Sequence, residues 1–191
     1  MSCCGGSTEE SDQFPVIAQR KMPDTYKIAM VGNTYVGKTT ICQTYLGHPD
    51  AISQPTQGSS FDVKRLTLND KNVMYSIWDT AGQERYNAIL PIYIRESDAI
   101  LIVYSLNDVD SFQALEKWFR FVQEGSPDAD LYFVGTKIDL IESRAVTEEM
   151  IDGCDILQRY QSFKINSRDP VAVQKIFDEI GIGFLNRDLK D

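Results

Sequence analysis

The sequence contains little cysteine and no long apolar run. Its four cysteines are Cys3, Cys4, Cys42 and Cys154. They are too few and too irregularly spaced for a disulfide framework or a zinc site, and the N-terminus has no signal-peptide pattern. The longest strongly apolar run, residues 99–104, is far shorter than the roughly 20 residues that a membrane-spanning helix requires. These absences predict a protein of a reducing, cytosolic compartment that does not span a bilayer.

The sequence is also poor in basic residues. Its 19 Lys and Arg stand against 28 Asp and Glu, which gives a formal net charge of -9. Because proteins bind nucleic-acid backbones through clustered Lys and Arg, this balance argues against general nucleic-acid binding. A single nucleotide bound with Mg²⁺ needs only a local group of backbone donors, so the acidic balance does not exclude one.

Length and apolar content predict one folded domain. The chain has 191 residues, of which 42% are hydrophobic, enough to bury the core of a single α/β domain and leave short tails. Residues 1–24 combine Gly, Ser, Thr, acidic residues and Pro without periodicity, which is typical of a flexible arm. We therefore predict an N-terminal arm over residues 1–24, a domain over residues 25–186 and a short tail over residues 187–191.

One segment has the spacing of a phosphate-binding loop. Residues 32–39 (GNTYVGKT) match G-x-x-x-x-G-K-[ST], follow the apolar run of residues 26–31 and precede a helical pattern from Thr40. In such a loop, backbone N–H groups surround the phosphates, Lys38 reaches the outer two and the Thr39 hydroxyl is placed to bind Mg²⁺. The residues predicted here to bind nucleotide are Asn33, Thr34, Tyr35, Val36, Gly37, Lys38, Thr39 and Thr40.

Strand and helix patterns alternate along the rest of the chain. Residues 61–68 and 73–78 predict a hairpin across a polar turn, with a bulge where the apolar pattern changes phase at Arg65. A helix is predicted to begin with Asp110 or Ser111 as its cap, and another to cover residues 150–160. The order predicts an α/β fold, with a six-stranded, mainly parallel sheet, one antiparallel edge strand and helices on both faces.

Polar segments follow four of the buried strands. They are the phosphate loop after residue 31, residues 79–84 after Trp78, residues 135–139 after Val134 and residues 166–168 after Ile165. Ligands of parallel α/β sheets lie beyond the carboxyl ends of the strands. These four segments are therefore expected to surround one bound nucleotide.

Together these segments resemble a Ras-superfamily small GTPase, closest to the Rab branch, over about residues 26–186. The resemblance rests on the phosphate loop, on DTAGQERY at 79–86 after Ile77 and Trp78, and on PIYIRES at 91–97. It implies a P-loop GTPase domain that binds GTP and GDP and hydrolyses GTP slowly. It also implies effector, exchange-factor and GTPase-activating (GAP) partner proteins.

The resemblance also implies roles for single residues. Gly82 would donate its N–H to the γ-phosphate, and Gln83 would be the catalytic residue that orients the attacking water. Asp79 would hold Mg²⁺ through water, and Thr56 would join Thr39 on Mg²⁺ when the γ-phosphate is present. Loss of that phosphate would release the segments of Thr56 and Gly82, which is the expected switch.

Two further segments are expected to bind the base. TKID at 136–139 resembles the family's base-specificity motif, with Thr136 where asparagine is commoner, and the stem of Lys137 would cover the base. Asp139 could accept hydrogen bonds from guanine N1–H and its exocyclic amine; adenine would leave that carboxylate unpaired, at a cost of several kcal/mol if the site is buried. The segment of Asn166, Ser167 and Arg168 replaces the usual Ser-Ala-Lys, whose contact with guanine uses a backbone amide and so survives the change.

Several positions depart from the family pattern. Thr34 and Tyr35 replace small residues, and we hypothesise that they obstruct the arginine finger of a GAP, with the Tyr35 ring pointing outward. Residues 47–55 lack the aromatic side chain that the family lays against the guanine. This predicts faster nucleotide release, unless His48 or Pro49 substitutes for the aromatic.

The sequence leaves the relation to membranes open. Rab proteins normally end in prenylated cysteines, but residues 185–191 contain none. Either the chain was shortened, or it reaches membranes through Cys3 and Cys4, or it does not bind membranes directly. Cys3 and Cys4 are either two exposed thiols of the arm or sites of reversible acylation. The expected location is the cytoplasm, including the cytosolic face of endomembranes.

Three functions are consistent with these motifs. The first is a GTP-dependent switch that regulates vesicle traffic through effector binding. The second is a Rab-like scaffold with an impaired nucleotide cycle, and the third is an ATP-using P-loop enzyme such as a kinase. Asp139 and the lack of arginines typical of a kinase lid disfavour the third function.

Overall fold

Six strands form one sheet at the centre of the protein. The computed structural model describes residues 24–51, 56, 58–80 and 89–188. The strands are β1 (Asp24–Val31), β2 (Ser59–Leu68), β3 (Lys71–Thr80), β4 (Ala99–Ser105), β5 (Asp130–Thr136) and β6 (Gln161–Lys164). Their order is β2-β3-β1-β4-β5-β6, and the edge strand β2 is antiparallel to β3 whereas the other pairs are parallel. The predicted α/β architecture is confirmed.

Helices cover both faces of this sheet. They are α1 (Lys38–Tyr45), α2 (Leu90–Ile94), α3 (Val109–Gln113), α4 (Leu115–Gly125), α5 (Glu148–Asp152), α6 (Asp155–Arg159) and α7 (Pro170–Asp188), with a 3₁₀ turn at Ile141–Ser143. None of these helices, within the residues described, has the length and apolar character of a membrane-spanning segment. The predicted arm lies outside the described residues except for Asp24, and α7 extends into the predicted tail.

The core divides into two apolar clusters, one on each face. Along β1, Ile28 and Met30 face the cluster that contains residues of α1 and α7, whereas Ala29 and Val31 face the cluster that contains residues of α4. Successive side chains of a strand point to opposite faces, so a central strand must be apolar throughout. All seven residues of β4 are buried for the same reason.

The predicted bulge at Arg65 is wrong. Strands β2 and β3 pair without interruption from Ser59 opposite Thr80 to Leu68 opposite Lys71, and Arg65 lies opposite Met74. The apolar pattern changes phase because the apolar side chains lie on one face of β2 near its start and on the opposite face near its end. Phe61 and Val63 are exposed on one face, while Leu66 and Leu68 pack against the core on the other.

Two predicted helices differ from the structure. Helix α3 is capped by Asp108, whose carboxylate accepts from the backbone N–H groups of Asp110 and Ser111, so the cap comes earlier than predicted. The helix predicted over residues 150–160 is instead the pair α5 and α6. Between them, Gly153 favours helix termination and Cys154 is extended.

Candidate functional site

The predicted phosphate loop connects β1 to α1, as expected. Gly32 has a φ of 141°, and a Cβ atom there would lie 2.1 Å from the carbonyl oxygen of Val103 in the neighbouring strand. Gly37 has a φ of 104° and directly precedes α1, which begins at Lys38 rather than at the predicted Thr40. Both positions need glycine, because side chains avoid this backbone region and Gly32 also touches β4.

The side chain of Lys38 lies inside the curve of this loop. Its Nζ donates to the carbonyl oxygens of Gly32, at 2.9 Å, and of Asn33, at 2.8 Å. The residue is 5% exposed. Burial lowers the pKa of Lys38 to about 8, and the negative charge of Asp79 partly opposes that effect. The loop therefore encloses a buried positive charge, which would pair with the negative charge of a bound phosphate.

Three side-chain oxygens meet beside Lys38. The hydroxyls of Thr39 and Thr56 both donate to Asp79 Oδ2, at 2.6 and 3.1 Å, and the two hydroxyl oxygens lie 2.8 Å apart. Asp79 is 1% exposed. Burial raises its pKa, opposed by the Thr39 hydrogen bond, the charge of Lys38 and the Thr56 hydrogen bond. The structure thus brings together the three residues that were predicted to bind metal.

The chemistry of this oxygen cluster suits Mg²⁺. The second carboxylate oxygen of Asp79, Oδ1, is buried without a hydrogen-bond partner among the described residues. Hard divalent cations prefer oxygen donors of this kind. In the part of the chain that the structure describes, no group of three or more His, Cys, Asp or Glu side chains could hold a metal ion. A bound ion would therefore rely on the two hydroxyls and the single carboxylate.

Thr136 ties the predicted base-binding segment to the phosphate loop. Its hydroxyl lies within hydrogen-bond distance of the carbonyl oxygens of Val36 and Tyr104, the latter at 3.0 Å. The segments after β5 and β6 are also joined, because the N–H of Ile138 donates to the carbonyl oxygen of Ile165 at 3.2 Å. Residues 136–139 and 166–168 are consequently fixed at the same edge of the sheet as the phosphate loop.

The side chain of Asp139 is more open than the sequence suggested. Asp139 is exposed and Lys137 half-buried, so the assumption of a buried carboxylate does not hold for the chain alone. The backbone still turns sharply here, since Lys137 has a φ of 61° and the N–H of Leu140 donates to its carbonyl oxygen at 3.1 Å. Asp139 therefore presents its carboxylate to solvent from the turn that follows β5.

The loop residues Thr34 and Tyr35 have different environments. Thr34 is half-buried. Tyr35 is 72% exposed and has a φ of 63°, a left-handed backbone conformation that is uncommon for a bulky side chain. The ring points outward, as predicted.

Trp118 contacts the phosphate loop in a way that the sequence did not reveal. The residue is 5% exposed within the cluster on the α4 face. Its indole Nε1–H, however, donates to Asn33 Oδ1 at 2.8 Å. A buried tryptophan usually finds an acceptor for this N–H, and that requirement is the one signal that could have suggested the contact.

An aromatic cluster on β2, β3 and α2 was also not predicted from the sequence. The ring centroid of Trp78 lies 4.9 Å from that of Phe61 and 5.7 Å from that of Tyr93. Phe61 is 51% exposed, and the adjacent helix α2 exposes Ile92. The pairing of Phe61 with Trp78 across β2 and β3 brings the first two rings together. The surface formed by Phe61, Trp78, Tyr93 and Ile92 is called the aromatic surface below.

Some predicted residues lie outside the described part of the chain. These are Gly82, Gln83, Cys3 and Cys4. Their assigned roles stay predictions. Segments from three of the four predicted loops are described in full, and the fourth is described at Asp79 and Thr80.

The fold and the site define a class of protein. A phosphate loop between the first strand and first helix of a mainly parallel sheet, with an enclosed lysine and an adjoining Thr-Asp oxygen cluster, is the arrangement of a P-loop nucleotide-binding domain. A sequence profile of the Ras family matches residues 27–183. The chain therefore belongs to the Ras family.

Similarity to individual proteins shows which part of the Ras family the chain resembles. Ras-related protein Rab-24 of Dictyostelium discoideum is 32% identical over 166 residues, which cover 84% of this chain and 81% of the relative. Ras-related protein Rab-30 of Homo sapiens is 31% identical over 157 residues, or 80% and 76% of the two chains. The protein is a small GTPase close to the Rab proteins. As such it converts GTP and water to GDP and phosphate, slowly when no GAP is present.

Proposed function

We propose that this GTPase is a Rab-type molecular switch that regulates vesicle traffic by binding effectors in its GTP-bound form. The observation that carries the proposal is the contact of Thr56 with Thr39 and Asp79, within 2.8 and 3.1 Å. Thr39 lies in the first turn of α1, directly after the phosphate loop, whereas Thr56 belongs to the chain that leads into β2. One small site thus joins the nucleotide-binding loop to the segment that precedes β2.

In this proposal the phosphate loop holds the phosphates. Its backbone N–H groups donate to the phosphate oxygens, and the Lys38 ammonium neutralises charge on the outer two. Thr39, Thr56 and Asp79 would hold Mg²⁺, with Asp79 acting through water. When bound, the ion supplies further positive charge to the phosphate oxygens.

Residues after β5 and β6 would select guanine. The carboxylate of Asp139 accepts from guanine N1–H and the exocyclic amine, and the Lys137 stem lies along the base. The segment of Asn166, Ser167 and Arg168 offers a backbone donor to the guanine oxygen. Asp139 is exposed, so its carboxylate can be desolvated by the base itself as it binds.

Loss of the γ-phosphate would change the partner surface. Thr56 lies close before Ser59, where β2 begins, and β2 carries Phe61 of the aromatic surface. Release of Thr56 from Thr39 frees the start of this strand. Effectors that bind the half-exposed aromatic rings would then distinguish the GTP form from the GDP form.

Location is part of the same proposal. We place the protein in the cytoplasm and on the cytosolic face of endomembranes, with acylation of Cys3 and Cys4 as the means of attachment. Both cysteines precede β1 by about twenty residues of chain. Attachment at this distance along the sequence would leave the site and the aromatic surface accessible to partners.

A second candidate function is a Rab-like scaffold with an impaired nucleotide cycle. The observation that favours it is Tyr35, whose ring occupies the outer side of the phosphate loop with 72% exposure. A scaffold would retain its nucleotide for many hours without hydrolysis, whether or not a GAP is supplied. The switch and the scaffold therefore differ in turnover rather than in binding.

Single-turnover hydrolysis of radiolabelled GTP separates these candidates. We expect an intrinsic rate on the order of 10⁻⁴ s⁻¹, typical when no arginine finger is supplied. Gln83→Ala should lower that rate at least about tenfold, because the attacking water loses its orienting group. Gln113→Ala removes an exposed glutamine in α3 and is the matched control. Equal rates for Gln83→Ala and wild type would contradict the assigned role, and GTP that stays intact in wild type would favour the scaffold.

A further inference from the structure

A contact joins two distant segments of the chain at the proposed base-binding end of the site. The guanidinium Nη1 of Arg168 donates to the carbonyl oxygen of Pro49 at 2.7 Å, across 119 positions of sequence. Arg168 follows β6, in the segment proposed to bind the base. Pro49 lies in the turn after α1, in residues 47–51, where the expected aromatic side chain is missing.

The segment that carries Arg168 is held by a hydrogen bond from α1. The hydroxyl of Thr44 in α1 donates to the carbonyl oxygen of Ser167 at 2.7 Å, in a buried position. The backbone N–H of Arg168 itself donates to Asn166 Oδ1 at 2.9 Å. Ser167 also faces the phosphate loop, since a Cβ atom on Gly37 would lie 3.1 Å from its Oγ. The guanidinium therefore extends from a fixed base beside the site.

The turn that carries Pro49 is anchored to the same helix. The N–H of His48 donates to the carbonyl oxygen of Gln43 at 2.8 Å, and that of Gly47 donates to Thr44 at 3.0 Å. The turn closes on itself as Ala51 donates to His48 at 3.2 Å. Both segments that the Arg168–Pro49 contact joins are thus hydrogen-bonded to α1, and the contact links them to each other.

We infer that Arg168 is a positioning residue that slows nucleotide release by tying the proposed base-binding segment to residues 47–51. The inference rests on the proposed function. A charged donor on a backbone carbonyl forms a stronger hydrogen bond than a neutral one. The carbonyl of Pro49 belongs to the backbone, so the contact does not need an aromatic side chain in the turn.

The test measures release of fluorescent N-methylanthraniloyl GDP and of the matching non-hydrolysable GTP analogue. Arg168→Ala should raise the dissociation rate constant about 3- to 10-fold, the range expected for one exposed charge-assisted hydrogen bond. The factor should be the same for both nucleotides, because the contact lies at the base end and not at the γ-phosphate. Arg168→Lys keeps the charge and should give an intermediate rate.

The matched control is Arg159→Ala. Arg159 is an exposed arginine at the end of α6, which precedes β6 and so lies at the opposite end of that strand. Its removal should leave release of both nucleotides unchanged. If Arg159→Ala and Arg168→Ala accelerate release equally, the faster release comes from the loss of a positive charge and not from the loss of the Arg168–Pro49 contact. The inference is then overturned.

A second measurement tests the contact itself. Amide hydrogen exchange followed by mass spectrometry should show faster exchange in residues 47–51 of Arg168→Ala than of wild type, with other peptides unchanged. Wild-type protein that takes up neither fluorescent nucleotide would overturn the proposed function and this inference with it. Normal uptake with wild-type release and exchange in Arg168→Ala would overturn the inference alone.

Discussion

Replacing Tyr35 with alanine is expected to raise GAP-stimulated GTP hydrolysis by about 10³-fold, the lower end of what an arginine finger contributes. Tyr35 has a φ of 63° and is 72% exposed. Its ring therefore projects from the outer side of the phosphate loop, where an arginine from a partner has to approach the transferred phosphate. Removing the ring opens that approach.

The measurement is single-turnover hydrolysis with a saturating amount of the catalytic domain of a GAP that acts on Rab proteins. Tyr35→Phe is the matched control, because it keeps the ring and removes only the hydroxyl. We expect Tyr35→Phe to respond to the GAP as weakly as wild type. Equal stimulation of wild type, Tyr35→Phe and Tyr35→Ala would show that the ring obstructs nothing.

The second large effect is expected for Asp139→Asn. This change should weaken GTP binding by about 10²- to 10⁴-fold, since two hydrogen bonds to a charged acceptor contribute roughly 1.5 to 3 kcal/mol each and 1.4 kcal/mol is a factor of ten. The asparagine Oδ1 can still accept from guanine N1–H, but the asparagine NH₂ group would place a donor against the exocyclic amine of guanine. Xanthine carries a carbonyl in place of the exocyclic amine, so the variant should prefer XTP.

Competition of GTP, XTP and ATP against a fluorescent GDP analogue measures this change. Asp155→Asn, at an exposed aspartate of α6, provides a control with the same loss of charge. It should bind the three nucleotides as wild type does. Undiminished GTP affinity in Asp139→Asn would remove Asp139 from the base site and reopen the question of base specificity.

The sequence predicted those features that depend on residues close together in the chain and on the general geometry of parallel sheets. The short apolar run of residues 99–104 is typical of a strand covered on both faces, and β4 is buried along its whole length. The spacing of Gly32, Gly37, Lys38 and Thr39 requires a strand before it and a helix after it, and both are present. Because parallel strands end at one edge of a sheet, the segment that begins at Asp79 was expected near the phosphate loop, and the family resemblance implied that Asp79 and Thr39 share one site.

Features that depend on distant contacts could not be predicted in this way. Asn33 and Trp118 are 85 positions apart, and their hydrogen bond depends on how α4 lies beside the phosphate loop. The phase change at Arg65 suggested a bulge because periodicity does not show that one strand can bury different faces at its two ends. The exposure of Asp139 likewise depends on the chain around it and not on its motif.

The central claim is that this chain holds a guanine nucleotide by its phosphate loop. It is tested most directly by purifying the full chain, denaturing it and identifying the released nucleotide by chromatography and mass spectrometry. We predict GDP or GTP in an amount close to one per protein chain. Release of an adenine nucleotide, or of none, would contradict the account.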